Sequence, residues 1–129
     1  MITLFSILST FTHYDGSPTA HADVIKALQP KKQYKMSDAW CVLQIMAVFY
    51  QNGALDMIGG LNRRSKELRD DADAMGIWHE GSSGILPGDI VVYADKKGVP
   101  NHSEFAIGAN LNISGNYNGG TSRRTRSGR

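Results

Sequence analysis

The stretch that decides the fold is residues 39–51, AWCVLQIMAVFYQ, with an Asn-Gly pair directly after it at 52–53. The stretch is apolar on nearly every side, which is typical of a helix in the centre of a domain. Ser37 or Asp38 is suited to cap its N-terminus, and the Asn-Gly pair is suited to end it. We therefore predict a buried central helix with Cys41 in its first turn.

Two further helices are predicted beside the central one. Pro18 can occupy a first helical position, so residues 18–28 should form a helix that ends before Pro30. Residues 64–75, RSKELRDDADAM, carry periodic charges and precede Gly76. That pattern predicts a more exposed helix.

The N-terminal residues 1–11, MITLFSILSTF, form an apolar run that could be mistaken for a signal peptide. A signal peptide begins with positive charge, whereas no Lys or Arg precedes Lys26 here, and polar residues interrupt a run too short to span a bilayer. We expect residues 1–14 to be a packed N-terminal segment or helix, and we expect no transmembrane segment.

Composition changes after residue 85, where short β-rich runs alternate with turn residues. Helices followed by an antiparallel meander make an α+β domain, with the central helix packed on one face of the sheet. The whole chain, residues 1–129, is expected to be this one domain. The predicted strands are residues 89–93, 104–107, 111–114 and 121–125.

Length and charge exclude several classes of protein. A chain of 129 residues and 14.1 kDa fits one core, and 41% hydrophobic with 20% charged residues is ordinary globular usage. One cysteine excludes an intramolecular disulfide. The net charge of +2 is carried by an Arg-rich tail, residues 121–129, with four arginines, so the remainder is close to −2. We expect no nucleic-acid partner; DNA binding through that tail is the weaker alternative.

Cys41 is the candidate nucleophile, because a helix N-terminus favours the thiolate over the thiol. The alternative is a small buried hydrophobic residue. A thiolate needs a histidine to exchange protons with it. His102, at the opening of a predicted strand, is the best placed, whereas His13, His21 and His79 are expected to be solvated or on the surface.

A third polar group must orient the imidazole of that histidine. The strand after His102 offers Asn116 as the first choice, with Ser114, Asn112 and Asn118 behind it.

Aromatic side chains near these positions could line a substrate groove, although core or rim packing is the alternative for each. They are Trp40, Tyr93 and Tyr117, with Trp78 as a further candidate. No metal site is expected, since ligand-spaced histidines and paired carboxylates are missing from the sequence.

Four short segments together resemble a known family: residues 37–41 (SDAWC), 86–93 (LPGDIVVY), 101–108 (NHSEFAIG) and 113–116 (ISGN). They are similar to the CHAP and NlpC-type cysteine peptidases of bacterial cell-wall turnover and phage lysins. In those families a Trp-Cys pair opens the central helix, a Pro-Gly-Asp strand precedes the catalytic His, and a Gly-Asn follows. The resemblance covers roughly residues 15–120.

The resemblance implies a role for each matching residue. Cys41 would be the nucleophile, His102 the general base and Asn116 the orienting group. The amide of Cys41, with Tyr34 or Gln33 upstream, would form the oxyanion hole.

The chain departs from the family pattern at two places near the candidate site. Ser114 stands where many relatives carry an acidic residue, two positions before the Asn. Ser103 and Glu104 follow the His in place of an apolar pair.

The expected function is therefore that of a papain-like cysteine hydrolase that cleaves an amide bond in bacterial peptidoglycan. It would be an endopeptidase or an N-acetylmuramoyl-L-alanine amidase, without a cofactor and as a monomer. As a phage or prophage lysin it would reach the wall from the host cytoplasm, through lysis or on a virion. The alternative is an inactive module of the same fold, with a wall-binding or structural role in a phage particle.

Overall fold

The computed structural model describes residues 2–13, 22–28, 41–54, 64–81, 83–108, 110–117 and 120–125. Within these ranges the chain forms helices first and then one antiparallel sheet, as an α+β domain does. The helices are α1 (Leu4–His13), α2 (Ala22–Leu28), α3 (Cys41–Gln51) and α4 (Ser65–Ala74). The strands are β1 (Ile90–Ala94), β2 (Pro100–Gly108), β3 (Leu111–Tyr117) and β4 (Gly120–Thr125).

Helix α3 is the predicted central helix. Every residue from Cys41 to Val48 is buried, and the helix contacts β2 and β3 as well as α1 and α2. It ends where the sequence indicates, because Gly53 has a φ of +65°, which closes a helix C-terminus at little steric cost. The amide of Ala54 then donates to the carbonyl of Phe49. The predicted start at residues 37–40 lies outside the described residues.

Helix α1 confirms the expectation of a packed N-terminal helix. Thr3 and Ser6 cap it reciprocally, since the amide of each donates to the hydroxyl of the other at 2.8 and 3.1 Å. Ile7 and Phe11 are buried in the core. The helix ends at His13, which is exposed as expected. Among the described residues, no helix is long and apolar enough to cross a membrane.

Helix α4 agrees with the predicted exposed helix to within one residue at each end. Arg64 occupies the N-cap position, and Gly76 follows the C-terminus with a φ of +74°. Only Ser65 and Leu68 are buried on it, and the helix packs against β2 and β1. Its first residue, Ser65, therefore points into the molecule although the helix is mostly solvated.

The strands form a meander in which β1, β2, β3 and β4 are neighbours in chain order, all antiparallel. β2 runs from residue 100 to residue 108, four residues earlier than the run at 104–107 suggests, so His102 lies inside the strand. β4 uses residues 120–125, so the first half of the segment interpreted as an Arg-rich tail is an edge strand paired with β3.

Side chains alternate along β2, which separates two groups of residues. Phe105 faces the helices, because its ring meets that of Phe11 edge to face with centroids 6.1 Å apart. By this alternation Ser103 groups with Phe105, while His102 and Glu104 form the second group. Residues 103–107 are all buried, so the polar face of β2 is also covered.

The Pro-Gly-Asp segment forms a turn that ties β1 to β2. The amide of Leu86 donates to the carboxylate of Asp89 at 2.9 Å, and Gly88 has a φ of +99°. The amide of Gly88 donates to the carbonyl of Ala106, whose own amide donates to the carbonyl of Asp89. The turn therefore fixes the register that places Tyr93 opposite His102.

Candidate active site

Cys41 is the first residue of α3 and is 5% exposed. Burial alone raises the pKa of its thiol, but a hydrogen bond and the charge of His102 oppose this effect, with smaller contributions from the Ser103 backbone and the Ser65 hydroxyl. Together they hold the pKa of Cys41 below its ordinary value of 9.0. The helix N-terminus adds to the preference for negative charge. These surroundings therefore favour ionisation of the Cys41 thiol.

His102 lies beside the thiol and is held on its other side by acceptors. Its Nε2 is 2.9 Å from Oε2 of Glu104 and 3.1 Å from Oγ of Ser114. The Ser114 hydroxyl donates to the carbonyl of Gly115 at 3.0 Å, so its oxygen accepts from the ring. Nε2 therefore carries a proton, which leaves Nδ1 as the nitrogen that exchanges a proton with the sulfur.

The charge state of His102 follows from these partners. Burial lowers the pKa of the imidazole, while the hydrogen bonds to Cys41 and Glu104 and both of their charges raise it. The result is a pKa raised from 6.5 to about 9. With the pKa of Cys41 lowered and that of His102 raised, both shifts favour a thiolate beside an imidazolium.

Glu104 is the carboxylate of the site, and its side chain is fully buried. Oε2 contacts His102, and Oε1 accepts a hydrogen bond from Nδ2 of Asn112 at 3.0 Å. Nδ2 of Asn112 also donates to the Tyr93 hydroxyl at 2.8 Å. A buried carboxylate with both oxygens engaged stays in one position, so it can orient the ring of His102.

Tyr93 closes one side of the imidazole. Its ring stacks on His102 with centroids 6.4 Å apart and 28° between the planes, which is the contact expected of a directly opposed pair in an antiparallel sheet. The ring of His102 is therefore fixed in plane by hydrogen bonds and out of plane by stacking.

The structure brings together the predicted Cys41 and His102, along with Ser114 and Asn112 from the group of third-residue candidates. Sequence reasoning missed Glu104, which it treated only as a departure from a family pattern. The available signal was spacing, because residues 102 and 104 on one strand must share a face. The first-choice Asn116 lies in β3, but its side chain is outside the described part of the molecule.

Several other predicted site residues lie where the structure gives no description of the side chain. Gln33, Tyr34, Trp40 and Asn118 lie outside the described residues, as does the side chain of Tyr117. Their roles stay predictions.

A groove of about 1050 Å³ lies beside the site, between α4, residues 77–89 and β1. Its described walls do not include Cys41 or His102, but Tyr93 is one of them. Tyr93 thus separates the groove from the imidazole it stacks against. In the described ranges, no group of three or more His, Cys, Asp or Glu side chains is arranged so that it could hold a metal ion.

No protein-family model, curated protein or solved structure matches the chain. The geometry of the site and the sequence motifs therefore carry the functional argument.

Proposed function

We propose that the protein is a papain-like cysteine hydrolase that cleaves an amide bond in bacterial peptidoglycan. One observation carries the chemical part of the proposal. Cys41, at a helix N-terminus, interacts with an imidazole that a buried carboxylate orients. Amide hydrolysis by a thiolate requires a nucleophile, a group that carries its proton, and a third group that orients the proton carrier.

The reaction begins when the sulfur of Cys41 attacks the carbonyl carbon, and the carbonyl π electrons move to its oxygen. The amide of Cys41 can donate to that oxygen, because the first N–H groups of a helix have no partner within it. By family resemblance, Tyr34 or Gln33 would supply the second donor. The proton on His102 Nδ1 then passes to the leaving nitrogen, and the C–N bond breaks.

Water completes the cycle. His102, now neutral at Nδ1, accepts a proton from the attacking water while Nε2 keeps its proton. The second tetrahedral intermediate expels the thiolate of Cys41 and releases the carboxylic acid. Glu104 stabilises the imidazolium that forms again at this point, since its carboxylate stays within 2.9 Å of the ring.

Peptidoglycan as the substrate rests on the sequence motifs. The Trp-Cys pair, the Pro-Gly-Asp turn, the strand with His102 and the Gly-Asn segment resemble the CHAP and NlpC-type enzymes. The bond would lie in the stem peptide or cross-bridge, or between the lactyl group and the first alanine. A phage or prophage lysin that reaches the wall through lysis or on a virion fits this activity.

Digestion of purified cell walls tests the proposal. The protein should release soluble muropeptides, and mass spectrometry of the new amino termini identifies the cleaved bond. Cys41→Ala should release none, whereas Asp73→Asn, at an exposed position of α4, should match the parent. Equal release by the parent and Cys41→Ala would refute the proposal. Tight binding to walls without any cleavage would favour an inactive wall-binding module instead.

A further inference from the structure

Two buried serine hydroxyls meet on the helix side of the candidate site. Ser65, the first residue of α4, is 6% exposed, and Ser103 in β2 is fully buried. Their Oγ atoms are 2.7 Å apart, although the residues are 38 positions apart in the chain. A hydrogen bond of this length joins the two hydroxyls across separate elements, and either one can be the donor.

The same two residues contact the sulfur of Cys41. The backbone of Ser103 and the side chain of Ser65 each form a hydrogen bond with the thiol. Because a thiolate can only accept hydrogen bonds, these groups are an N–H and an O–H directed at it.

We propose that Ser65 donates its hydroxyl proton to the Cys41 thiolate and that Ser103 is a positioning residue which orients Ser65 for this task. The O–H of Ser103 donates to Oγ of Ser65, and the O–H of Ser65 then donates to the sulfur. The inference extends the proposed hydrolase function, because it assigns a third donor to its nucleophile, beside His102 and the Ser103 amide.

The location of Ser65 supports this role. A buried thiolate loses most of its hydration and is stable only where protein donors replace the water. As the first residue of α4, Ser65 brings a second helix N-terminus to the sulfur, next to that of α3. Both helix dipoles have their positive ends there, which again favours negative charge.

The expected effect is on the fraction of thiolate at low pH. Without the Ser65 hydroxyl the pKa of Cys41 should rise, so a smaller fraction of the thiol is ionised at pH 6. At pH 10 the thiol should be ionised in both proteins. Each unit of pKa is a tenfold change in that fraction. We expect alkylation of Ser65→Ala to be about 3- to 10-fold slower than the parent at pH 6 and unchanged at pH 10.

The test is the rate of iodoacetamide alkylation from pH 4 to pH 10. Because the chain has one cysteine, all alkylation reports on Cys41. Ser65→Ala should move the inflection to higher pH, Ser103→Ala should move it by a smaller amount, and Ser65→Thr, which keeps the hydroxyl, should restore it. Thr10→Val is the matched control, since Thr10 is also a buried hydroxyl but bonds to the Ser6 carbonyl within α1.

An unchanged inflection in a folded Ser65→Ala protein overturns the proposal. If Ser65→Ala does not fold, an unchanged inflection in Ser103→Ala overturns it in the same way. Alkylation requires no peptidoglycan, so the result is separate from wall cleavage. A Ser65-dependent inflection in a protein that releases no muropeptides would refute the proposed substrate and support the role of Ser65.

Discussion

Glu104 is placed beside the imidazole of His102 by the geometry of its strand. It lies two positions after His102 on β2, so the pleat alone puts its carboxylate on the imidazole side. The next strand contributes Asn112 and Ser114, which hold the carboxylate and the ring. The proposed triad of Cys41, His102 and Glu104 therefore uses one helix N-terminus and one strand, with the neighbouring strand as support.

Glu104→Gln should reduce the rate of wall cleavage by roughly 10²- to 10⁴-fold. The amide has nearly the same shape, but it lacks the charge that raises the pKa of His102. The measurement is kcat on soluble muropeptides, with Asp73→Asn, a carboxylate-to-amide change at an exposed position of α4, as the control. Equal rates for Glu104→Gln and the parent would show that the carboxylate does not orient the ring.

The pH dependence of wall cleavage should be bell-shaped. Activity requires the Cys41 thiolate, whose pKa lies below 9.0, and the protonated His102, whose pKa is about 9. The rate should thus be high at neutral pH and fall as the pH rises through about 9. In Glu104→Gln the alkaline limb should move to lower pH. A parent rate that keeps rising above pH 9 would mean that the imidazolium is not needed.

At the scale of elements, α1 is a structural part of the core. Its apolar side makes two contacts with the rest of the core. The helix packs on α3, and the ring of Phe11 contacts the ring of Phe105 in β2. The opposite side is solvated, and Phe5 there is 81% exposed. The two phenylalanines of one helix therefore allow a direct comparison.

Phe11→Ala should lower the free energy of unfolding by about 3–5 kcal/mol, because it leaves a cavity beside Phe105. Phe5→Ala in the same helix should change it by less than about 0.5 kcal/mol. Urea unfolding of both variants gives the comparison. Similar losses in the two variants would contradict the packing of α1 described above.

The elements were predictable where local chemistry decides them. The apolar run of α3, the glycine after its end and the charged periodicity of α4 each predict a helix from the sequence alone. The early part of β2 was missed because Pro100, Asn101 and His102 have no strand pattern of their own. They are extended because β1 pairs with them, and that pairing is a tertiary contact that the propensities of these residues do not indicate.

The candidate site was predictable to a similar degree. A cysteine at a helix start and a histidine near a strand start are visible in the sequence. The partners of the imidazole depend on which face of β2 turns toward the thiol and on the register between β2 and β3. Those features are settled by packing, so the contact of Glu104 with the ring was not predictable from the sequence, and the role of Asn116 stays a prediction.

Over the whole molecule, the ion pair should shape the dependence of stability on pH. His102 has a raised pKa, so its contribution is complete below pH 6.5 and is lost as the pH rises through about 9. Cys41 has a lowered pKa, so its contribution is complete above pH 9.0 and is lost as the pH falls through its folded pKa. Between about pH 6.5 and 9 the two slopes oppose each other.

The comparison that isolates this effect is between the parent and a Cys41→Ala/His102→Gln double variant. Their difference in unfolding free energy should be nearly constant from pH 6.5 to 9 and should decrease below pH 6.5, where the unfolded His102 takes up a proton. Urea unfolding at pH 5, 7 and 9 measures it. A difference that declines steadily between pH 7 and 9 would indicate a charged His102 beside a neutral thiol.

In the proposed site, His102 is the group that makes Cys41 a thiolate. The most direct test is the rate of iodoacetamide alkylation at pH 7, compared between the parent and His102→Gln. The parent should react rapidly at its single cysteine, and the variant should react at least about tenfold more slowly, since burial then raises the pKa of the thiol without opposition from the imidazolium. Equal rates in the two folded proteins would contradict the account.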